Sequence, residues 1–561
     1  MEILSLDRFS YRYPRAAKDA VSDITLSVDE GDFVLLCGAS GCGKSTLLEN
    51  LKPELRKNGT RTGGVYYKGR PVEALTRMES ACDIGFVMQD VEAQLVADTV
   101  RAELSFGLES LGFPGEVIRR RVAEMASFFG MGRLLNRTVN SLSGGEKQLV
   151  SLAAVLALSP RLLLLDEPAS QLDPVAAREL FSMLARINAE LGITVLIAEH
   201  HTEELFALCS KVLLLQDGQL RFFGGSREAA QFIAAEMNEN GAQGGTLSRD
   251  TVPPENRAGT AFAALLPSAA RIFPDEAEIP LSVREGRSLF EQKTRGKARP
   301  APRRVQPPQT PPAVAVKGLY YSYGGAQALL FKDLALTLYQ GELSAVMGAN
   351  GAGKSTLLKL LCGFLKPQRG RVELFGQRNA REVAIGYLPQ NPRLLFIADA
   401  VEDDLLATAA AFALPQPEER IQSLASALGI EGILRAHPYD ISAGELQRAA
   451  LAKVLLASPR LLLLDEPTKA LDPQAKTKLA SLLCGLVGQG VSVVLASHDV
   501  EFCARYCDRC ALLFDGQAAS VGAPAQFFGG NTFYTTAAGR IAAGFSAEAV
   551  TCEEVRALWR E

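Results

Sequence analysis

Short runs of consecutive apolar residues mark the central strands of this chain. The runs Phe33–Cys37 and Leu343–Met347 each lead into a glycine-rich turn and then into a helical pattern that begins at a Ser-Thr pair. Two runs of four leucines, at residues 162–165 and 461–464, stop at acidic residues. Such runs are typical of parallel strands that are buried on both faces and place polar residues at their carboxyl ends. The pattern therefore predicts an α/β fold.

The same landmarks occur twice along the chain. GASGCGKST at residues 38–46 returns as GANGAGKST at residues 348–356, and a tyrosine, an acidic strand end and a strand-end histidine return in the same order. Landmarks repeated in one order imply duplicated domains. The repeated pairs are Tyr13 and Tyr323, Asp166 and Asp465, and His200 and His498.

The repeat divides the 561 residues into two domains, a linker and a tail. The segment between the copies is interrupted by Gly and Pro and ends Pro-rich and basic, which favours an extended, solvated spacer. Within it, Ser282 and Glu285 have capping-box spacing ahead of a short helical pattern. The predicted segments are a first domain at 1–230, a linker at 231–312, a second domain at 313–530 and a C-terminal helical tail at 531–561.

Composition excludes some classes of protein. Lys and Arg total 59 against 63 Asp and Glu, a net charge of −4, which argues against a broadly basic nucleic-acid binder. No apolar run approaches the ~20 residues of a membrane span, and the N-terminus lacks a secretory signal, so we expect the protein to stay in the cytosol. The spacing of Cys503, Cys507 and Cys510 would place the three thiols on one face of a helix. They could bind zinc or pack in the core as a buried helix face, and we favour packing.

The two glycine-rich segments predict phosphate-binding loops. Glycines after a strand let backbone N–H groups converge on phosphates at a helix N-terminus, where Lys44 and Lys354 add positive charge. Ser45 and Ser355 would supply a hydroxyl to Mg²⁺. For Cys42, inside the first loop, the alternatives are a thiol pKa lowered by helix amides and simple packing. The remaining loop residues are Gly38, Gly41, Gly43 and Thr46, and Gly348, Gly351, Gly353 and Thr356.

The aspartate and the glutamate at the end of each leucine run are predicted to have different roles. Asp166 and Asp465 suit the Mg²⁺ shell, while Glu167 and Glu466, one residue on, would polarise the attacking water. Phosphoryl transfer needs mostly positioning and charge neutralisation, so these groups are chemically sufficient.

Together these segments resemble the nucleotide-binding domain of the ABC superfamily. Besides the phosphate loops, the matching residues are Gln89, LSGGEKQ at 142–148, Asp173 and His200 in the first half, and Gln390, ISAGELQ at 441–447, Asp472 and His498 in the second. The resemblance implies two tandem P-loop nucleotide-binding domains, each a RecA-like core with a helical signature subdomain, that hydrolyse ATP with Mg²⁺. It also implies that Tyr13 and Tyr323 stack on adenine, that Gln89 and Gln390 sense Mg²⁺ and the membrane partner, and that the histidines touch the γ-phosphate.

In this superfamily two such domains pair head to tail, here within one chain. The resemblance implies that Ser442 and Gly444 complete the first ATP site and that Ser143, Gly144 and Gly145 complete the second. Ala443 departs from the usual glycine, and its methyl group would crowd the backbone where it approaches the γ-phosphate. We therefore expect two competent but unequal sites, the second being faster.

Gln94 and Leu95, after Gln89, resemble the docking element of energy-coupling-factor (ECF) importer ATPases. Membership implies a transmembrane coupling subunit and a membrane substrate-binding subunit, uptake of a vitamin, a vitamin precursor or a transition metal ion, and a peripheral place on the cytoplasmic face of the membrane. The alternative is a soluble twin-domain ABC ATPase acting on ribosomes, although prolines such as Pro253, Pro254 and Pro280 interrupt the long helical hairpin of that class. DNA-repair ABC ATPases are a third class, disfavoured because the interval before Ser143 lacks heptads and CxxC pairs.

Overall fold

The computed structural model describes residues 1–170, 172–241, 262–300, 310–324, 329–378, 380–469, 471–531 and 534–560. The chain forms two compact units, Met1–Gly286 and Arg287–Glu561, so the division falls inside the predicted linker. Within the described ranges, none of the helices combines the length and the apolar content needed to cross a bilayer.

The first unit is built on two sheets. The strands are β1 Glu2–Arg12, β2 Val21–Asp29, β3 Phe33–Cys37, β4 Thr60–Tyr67, β5 Arg70–Pro71, β6 Ile84–Val87, β7 Leu162–Asp166, β8 Thr194–Ala198, β9 Lys211–Gln216 and β10 Gln219–Gly225. A six-stranded sheet has the order β10-β9-β3-β8-β7-β6, in which β9 and β10 are antiparallel and the other neighbours are parallel. An antiparallel sheet has the order β2-β1-β4-β5.

The continuous apolar runs follow from burial on both faces of the parallel sheet. Leu163 and Leu165 pack into a core with the helices, whereas Leu162 and Leu164 pack into a second core against the antiparallel sheet. Because successive side chains of a strand point to opposite faces, both faces need apolar residues. The helices of this unit are Lys44–Leu51, Arg77–Asp83, Val91–Gln94, Val100–Ser110, Gly115–Phe128, Gly144–Leu156, Pro174–Leu191, Leu205–Leu208, Ser226–Gly241 and Ser268–Ile272, and the helix Val283–Lys293 contains the division between the units.

The second unit repeats this architecture. Its strands are β11 Pro312–Tyr321, β12 Phe331–Tyr339, β13 Leu343–Met347, β14 Arg369–Leu374, β15 Ile385–Leu388, β16 Leu461–Asp465, β17 Ser492–Ala496, β18 Arg509–Phe514 and β19 Gln517–Gly522. The six-stranded sheet has the order β15-β16-β17-β13-β18-β19, and the antiparallel sheet has the order β12-β11-β14. Its helices are Lys354–Leu361, Val401–Ala411, Pro417–Leu428, Ala443–Leu456, Pro473–Gly488, Val500–Tyr506, Pro524–Gly529, Ala537–Ala542 and Cys552–Arg560. The predicted duplicated α/β fold is confirmed.

The structure adds a repeat that the motifs did not reveal. In the first unit Ser268 donates from its backbone N–H (2.8 Å) and its hydroxyl (2.9 Å) to Oε2 of Glu203, and residues 262–281 contribute to the core. In the second unit the backbone N–H of Ala537 donates to Oε1 of Glu501 at 2.9 Å. Each glutamate lies three residues after the strand-end histidine. Part of the predicted linker and the predicted tail are therefore equivalent C-terminal modules, anchored in the same way.

Both modules also contain the same capping arrangement. The backbone N–H of Leu281 donates to Glu285 (3.1 Å), and that of Val550 donates to Glu554 (3.0 Å). The predicted capping pair Ser282–Glu285 is present, since the N–H of Glu285 donates to the Ser282 hydroxyl at 3.2 Å.

Candidate functional site

Each phosphate loop joins the central parallel strand to a helix. Lys44 is 5% exposed, and its Nζ donates to the carbonyl oxygens of Gly38 (3.0 Å) and Ala39 (3.1 Å), which hold the ammonium group inside the loop. A Cβ atom at Gly38 would lie 2.4 Å from the carbonyl oxygen of Leu215, so only glycine fits there. Gly43 precedes the helix with φ of 104°, a conformation that glycine adopts readily.

The second unit has the same loop. Lys354 Nζ donates to the carbonyl oxygens of Gly348 (2.8 Å) and Ala349 (3.3 Å), and Gly353 precedes the helix with φ of 100°. In both units the first turn of the helix leaves backbone N–H groups directed toward the loop, where the helix dipole favours an anion. The geometry suits the phosphate groups of a nucleotide.

The two predicted Mg²⁺ positions pair a hydroxyl with a buried carboxylate. Ser45 Oγ lies 3.0 Å from Asp166 Oδ1, and Ser355 Oγ lies 2.9 Å from Asp465 Oδ1. Burial raises the pKa of Asp166 to about 6, Glu167 adds to the shift, and the Ser45 hydrogen bond opposes it. Burial likewise raises the pKa of Asp465. Oxygen donors around a buried carboxylate are the ligands that Mg²⁺ prefers, so both positions fit the ion.

In the first unit two side chains contact the carboxylate of Glu167. Its Oε1 lies 2.9 Å from His200 Nε2, and its Oε2 accepts a 2.7 Å hydrogen bond from Gln89 Nε2. Burial favours the neutral acid, but the hydrogen bond and charge of His200, together with the charge of Lys44, outweigh it and hold the pKa of Glu167 below its ordinary value. The structure therefore keeps this carboxylate ionised and fixed in orientation.

Glu466 is held differently in the second unit. Its Oε2 lies 2.8 Å from His498 Nδ1, and its Oε1 lies 3.5 Å from Lys354 Nζ. The pKa of Glu466 is again lowered, since His498 and Lys354 outweigh the effect of burial. The structure describes both Gln390 and Glu466, and no hydrogen bond joins their side chains. The predicted sites are thus alike in their parts and unequal in how the glutamate is held.

Both glutamates have an unusual backbone. Glu167 has φ of 45° and Glu466 has φ of 52°, in the left-handed region that non-glycine residues seldom adopt. Each backbone N–H donates at 2.9 Å to the last residue of the neighbouring strand, Ala198 or Ala496. Strain of this kind persists where the surrounding structure over-determines it, which is common at active sites.

The signature serines cap helices. Ser143 precedes the helix Gly144–Leu156 and exchanges capping-box hydrogen bonds with Glu146, and Ser442 does the same with Glu445 ahead of Ala443–Leu456. The structure places Gly144 and Gly145, like Gly444, in the first turn of these helices. The side chain of Ala443 lies outside the described residues, so the predicted effect of its methyl group stays a prediction.

The predicted adenine-stacking tyrosines contact the phosphate-loop helix. The hydroxyl of Tyr13 lies 2.9 Å from Thr46 Oγ1, and that of Tyr323 lies 2.9 Å from Thr356 Oγ1. Tyr323 is 58% exposed, which leaves its ring accessible to a ligand. Their role in adenine binding stays a prediction.

Gln94 turns back onto its own strand. Its Oε1 accepts from the backbone N–H of Met88 (2.8 Å), and its Nε2 donates to the carbonyl oxygen of Phe86 (2.9 Å). These bonds support the segment just before Gln89. In the second unit, by contrast, Leu394 is 73% exposed and Ile397 is 93% exposed after Gln390.

Two expectations about cysteines need correction or refinement. Cys42 is 4% exposed, and burial raises the pKa of its thiol although Lys44 opposes the shift, so the alternative of a lowered pKa is wrong. The helix Val500–Tyr506 ends before Cys507, and Cys510 belongs to β18, so the three clustered cysteines do not share a helix face. All three pack in the core of the second unit, as favoured.

Sequence reasoning missed Glu199, a carboxyl group at the end of β8. It is 1% exposed, and burial raises its pKa to about 8. The available signal was the comparison of TVLIAEH with SVVLASH, which places Ser497 at the equivalent position.

Comparisons with known proteins find a family model and relatives that match most of the chain. The family model for ABC transporters matches residues 21–170 and 331–469. A "Putative ABC transporter ATP-binding protein" of Bacillus thuringiensis is 38% identical over 558 residues, covering 98% of this chain and 97% of the relative. A "Putative HMP/thiamine import ATP-binding protein" of Bacillus subtilis is 30% identical over 541 residues, covering 95% of this chain and 93% of the relative.

Two solved structures are also similar. The archaeal ribosome recycling factor aABCE1, crystallised with the ribosomal stalk protein aP1, has a TM-score of 0.57 at 20% identity and covers 93% of this chain and 91% of its own, a likeness of fold. CbiO1 of Clostridium perfringens, part of the complex cbiONQ, has a TM-score of 0.38 at 29% identity and covers 42% of this chain and 95% of its own. With two phosphate-loop sites and relatives matched over nearly its whole length, the chain belongs to the ABC transporter family as an ATP-binding protein, an ATPase that uses ATP and Mg²⁺.

Proposed function

We propose that this protein is the energy-coupling ATPase of an ECF-type importer. It drives uptake of a vitamin, a vitamin precursor or a transition metal ion through a transmembrane coupling subunit and a membrane substrate-binding subunit, from the cytoplasmic face of the membrane. The observation that carries the proposal is the match of 95% of the chain to a relative named for HMP/thiamine import. Pairing of the two ATPase domains within one chain stays a prediction.

In the proposed reaction Glu167 and Glu466 act on the attacking water. Each carboxylate is ionised, so it accepts a proton as the water oxygen approaches the γ-phosphate. His200 and Gln89 hold the two oxygens of Glu167, which leaves little freedom of orientation. Lys44 and Lys354 place a fixed positive charge in each phosphate loop, where charge neutralisation supplies most of the catalysis of phosphoryl transfer.

Ser45 with Asp166, and Ser355 with Asp465, would hold Mg²⁺, with Gln89 and Gln390 as further ligands. A bound ion would neutralise phosphate charge. The charge of Glu167 helps to raise the pKa of Asp166, and the two carboxylates therefore fit a site that takes a cation.

An apolar surface next to Gln390 supports a protein partner. We define the docking patch as Leu394, Ile397 and Tyr439, which are 73%, 93% and 62% exposed. The guanidinium of Arg393 lies 5.4 Å from the ring centre of Tyr439 and makes the rim of the patch polar. Exposed apolar side chains grouped beside a polar rim are typical of interaction sites.

The test is to identify what co-purifies with the protein from native membranes. A tagged Glu167→Gln/Glu466→Gln variant, in mild detergent with ATP and Mg²⁺, is compared with the same variant carrying Leu394→Asp/Ile397→Asp. Phe514→Asp, at a side chain that is 70% exposed outside the patch, is the matched control. We expect two polytopic membrane proteins with the parent and the control, and their loss with the patch variant.

Ribosomal proteins without membrane partners would contradict the proposal and favour the ribosome-acting class. Full ATP turnover by the Glu167→Gln/Glu466→Gln protein would contradict the roles given to the two glutamates.

A further inference from the structure

Glu199 connects two segments that carry groups of the first ATP site. Its Oε1 accepts a 2.7 Å hydrogen bond from the backbone N–H of Ala169, two residues after Glu167. Its Oε2 accepts a 3.1 Å hydrogen bond from the backbone N–H of His200. Its own backbone N–H donates to Leu36 of β3 at 3.3 Å, which ties the arrangement to the central strand.

The second unit links the same two segments by different chemistry. Ser497 stands at the position of Glu199, and Thr468 at that of Ala169. Their hydroxyl oxygens are 3.4 Å apart, and both residues are buried. The backbone N–H of Ser497 donates to Val346 at 3.1 Å, which matches the Glu199–Leu36 bond.

In each unit, one residue of the linking pair is large and the other is small, and the two units place the larger residue on opposite segments. The long carboxyl of Glu199 faces a small Ala169, whereas the short Ser497 faces the larger Thr468. Each unit therefore fills the gap between the two segments with one buried polar link. A buried polar link is retained only when its groups are hydrogen-bonded, because an unsatisfied partner is costly.

We propose that Glu199 is a positioning residue of the first ATP site, which holds the segment after Glu167 against the backbone of His200. In this way the carboxyl keeps His200 Nε2 within 2.9 Å of Glu167 Oε1. The inference rests on the roles proposed above for Glu167 and His200. We therefore expect the first site to require a hydrogen-bonded link between these two segments, whether a carboxyl group or other polar side chains provide it.

The test exchanges the link of one unit for that of the other. In a Glu466→Gln background, so that turnover reports the first glutamate, ATP hydrolysis is measured for Glu199→Ser, Ala169→Thr and the double variant. Glu199→Ser should lower kcat about tenfold, a change of about 1.4 kcal/mol, with KM for ATP changed less than about twofold. The double variant should recover kcat to within about threefold of the parent, because Thr and Ser rebuild the link.

A reciprocal control uses the other unit. In a Glu167→Gln background, Ser497→Glu should lower kcat, and Thr468→Ala/Ser497→Glu should restore it. Unchanged kcat for Glu199→Ser, or a double variant as slow as the single one, would overturn the proposal.

If Glu199→Ser does not fold, the variant Glu199→Gln tests the positioning role of Glu199. Its amide keeps one acceptor for Ala169 but turns N–H groups toward the N–H of His200, so kcat should fall about threefold to tenfold at nearly constant KM. Unchanged kcat would overturn the positioning role. Turnover retained by Glu167→Gln in the Glu466→Gln background would instead refute the proposed role of Glu167, whatever the Glu199 variants do.

Discussion

Replacing Glu199 by glutamine should make the stability of the first unit less dependent on pH. Burial raises the pKa of this carboxyl from 4.5 to about 8, although the backbone N–H of Ala169 opposes the shift. The folded unit therefore binds the proton more tightly than the unfolded chain does. The stability that this proton contributes is fully present below pH 4.5 and is lost as the pH rises toward 8.

The magnitude follows from the linkage between protonation and folding. The contribution of Glu199 to the free energy of unfolding changes by about 1.4 kcal/mol per pH unit, and this slope becomes smaller as the pH nears the folded pKa. Between pH 6 and pH 8 the free energy of unfolding should therefore fall by about 2 kcal/mol because of Glu199. Glutamine does not titrate, so the variant should lack this loss. The difference in stability between the parent and Glu199→Gln should therefore change by about 2 kcal/mol over the same range.

Hydrogen exchange measured by mass spectrometry suits this test. The single tryptophan, Trp559, lies in the second unit and does not report on the first. Exchange in peptides from β7 and β8 gives the free energy of opening of the strands around Glu199. The parent and Glu199→Gln are compared at the same pH, so that their intrinsic exchange rates cancel. Strands β16 and β17, next to Ser497, are the internal control. A parent-to-variant difference that is the same at pH 6 and pH 8 would refute the reasoning.

Three further results are expected. Cys42 should react with N-ethylmaleimide at least about tenfold more slowly than the exposed Cys484, because burial raises its pKa and limits access, and equal labelling by peptide mass spectrometry would contradict this. Glu203→Ala should lower the opening free energy for hydrogen exchange in residues 262–281 by about 2–3 kcal/mol, since Ser268 loses both of its hydrogen bonds to Glu203, while Ser268→Ala, which keeps the backbone bond, should lower it by about 1 kcal/mol. Ser45→Ala should raise the Mg²⁺ concentration for half-maximal ATPase activity about tenfold, and an unchanged requirement would argue against the ligand role of Ser45.

Much of the site follows from residues that are close in sequence. The phosphate loop depends on glycines within nine residues of one another, between a buried strand and a helix. Their conformations are set locally, so the pattern predicts the loop without knowledge of distant contacts. The pairing of Ser45 with Asp166 was also predictable, because the carboxyl ends of parallel strands meet at one edge of the sheet.

Other features depend on contacts between distant residues. For Cys42 the local sequence left a pKa lowered by helix amides and simple packing as alternatives, and burial raises the pKa of the thiol. Gln94 resembles part of a docking element, and the structure adds that its amide bonds the backbone of Met88 and Phe86, while its part in docking stays a prediction. In each case local sequence named the group, and its surroundings determined its behaviour.

By itself, the sequence determined that this protein has two copies of an α/β ATPase domain and where the phosphate loop of each copy lies, because strand burial and glycine conformation are local properties. Only the tertiary structure decided that Glu199 bonds the backbone of Ala169, thirty residues before it in the chain, as well as that of His200, and that Glu203 and Glu501 anchor C-terminal modules. These links depend on which buried polar groups find partners after the core has packed, and no periodicity along the chain records that outcome.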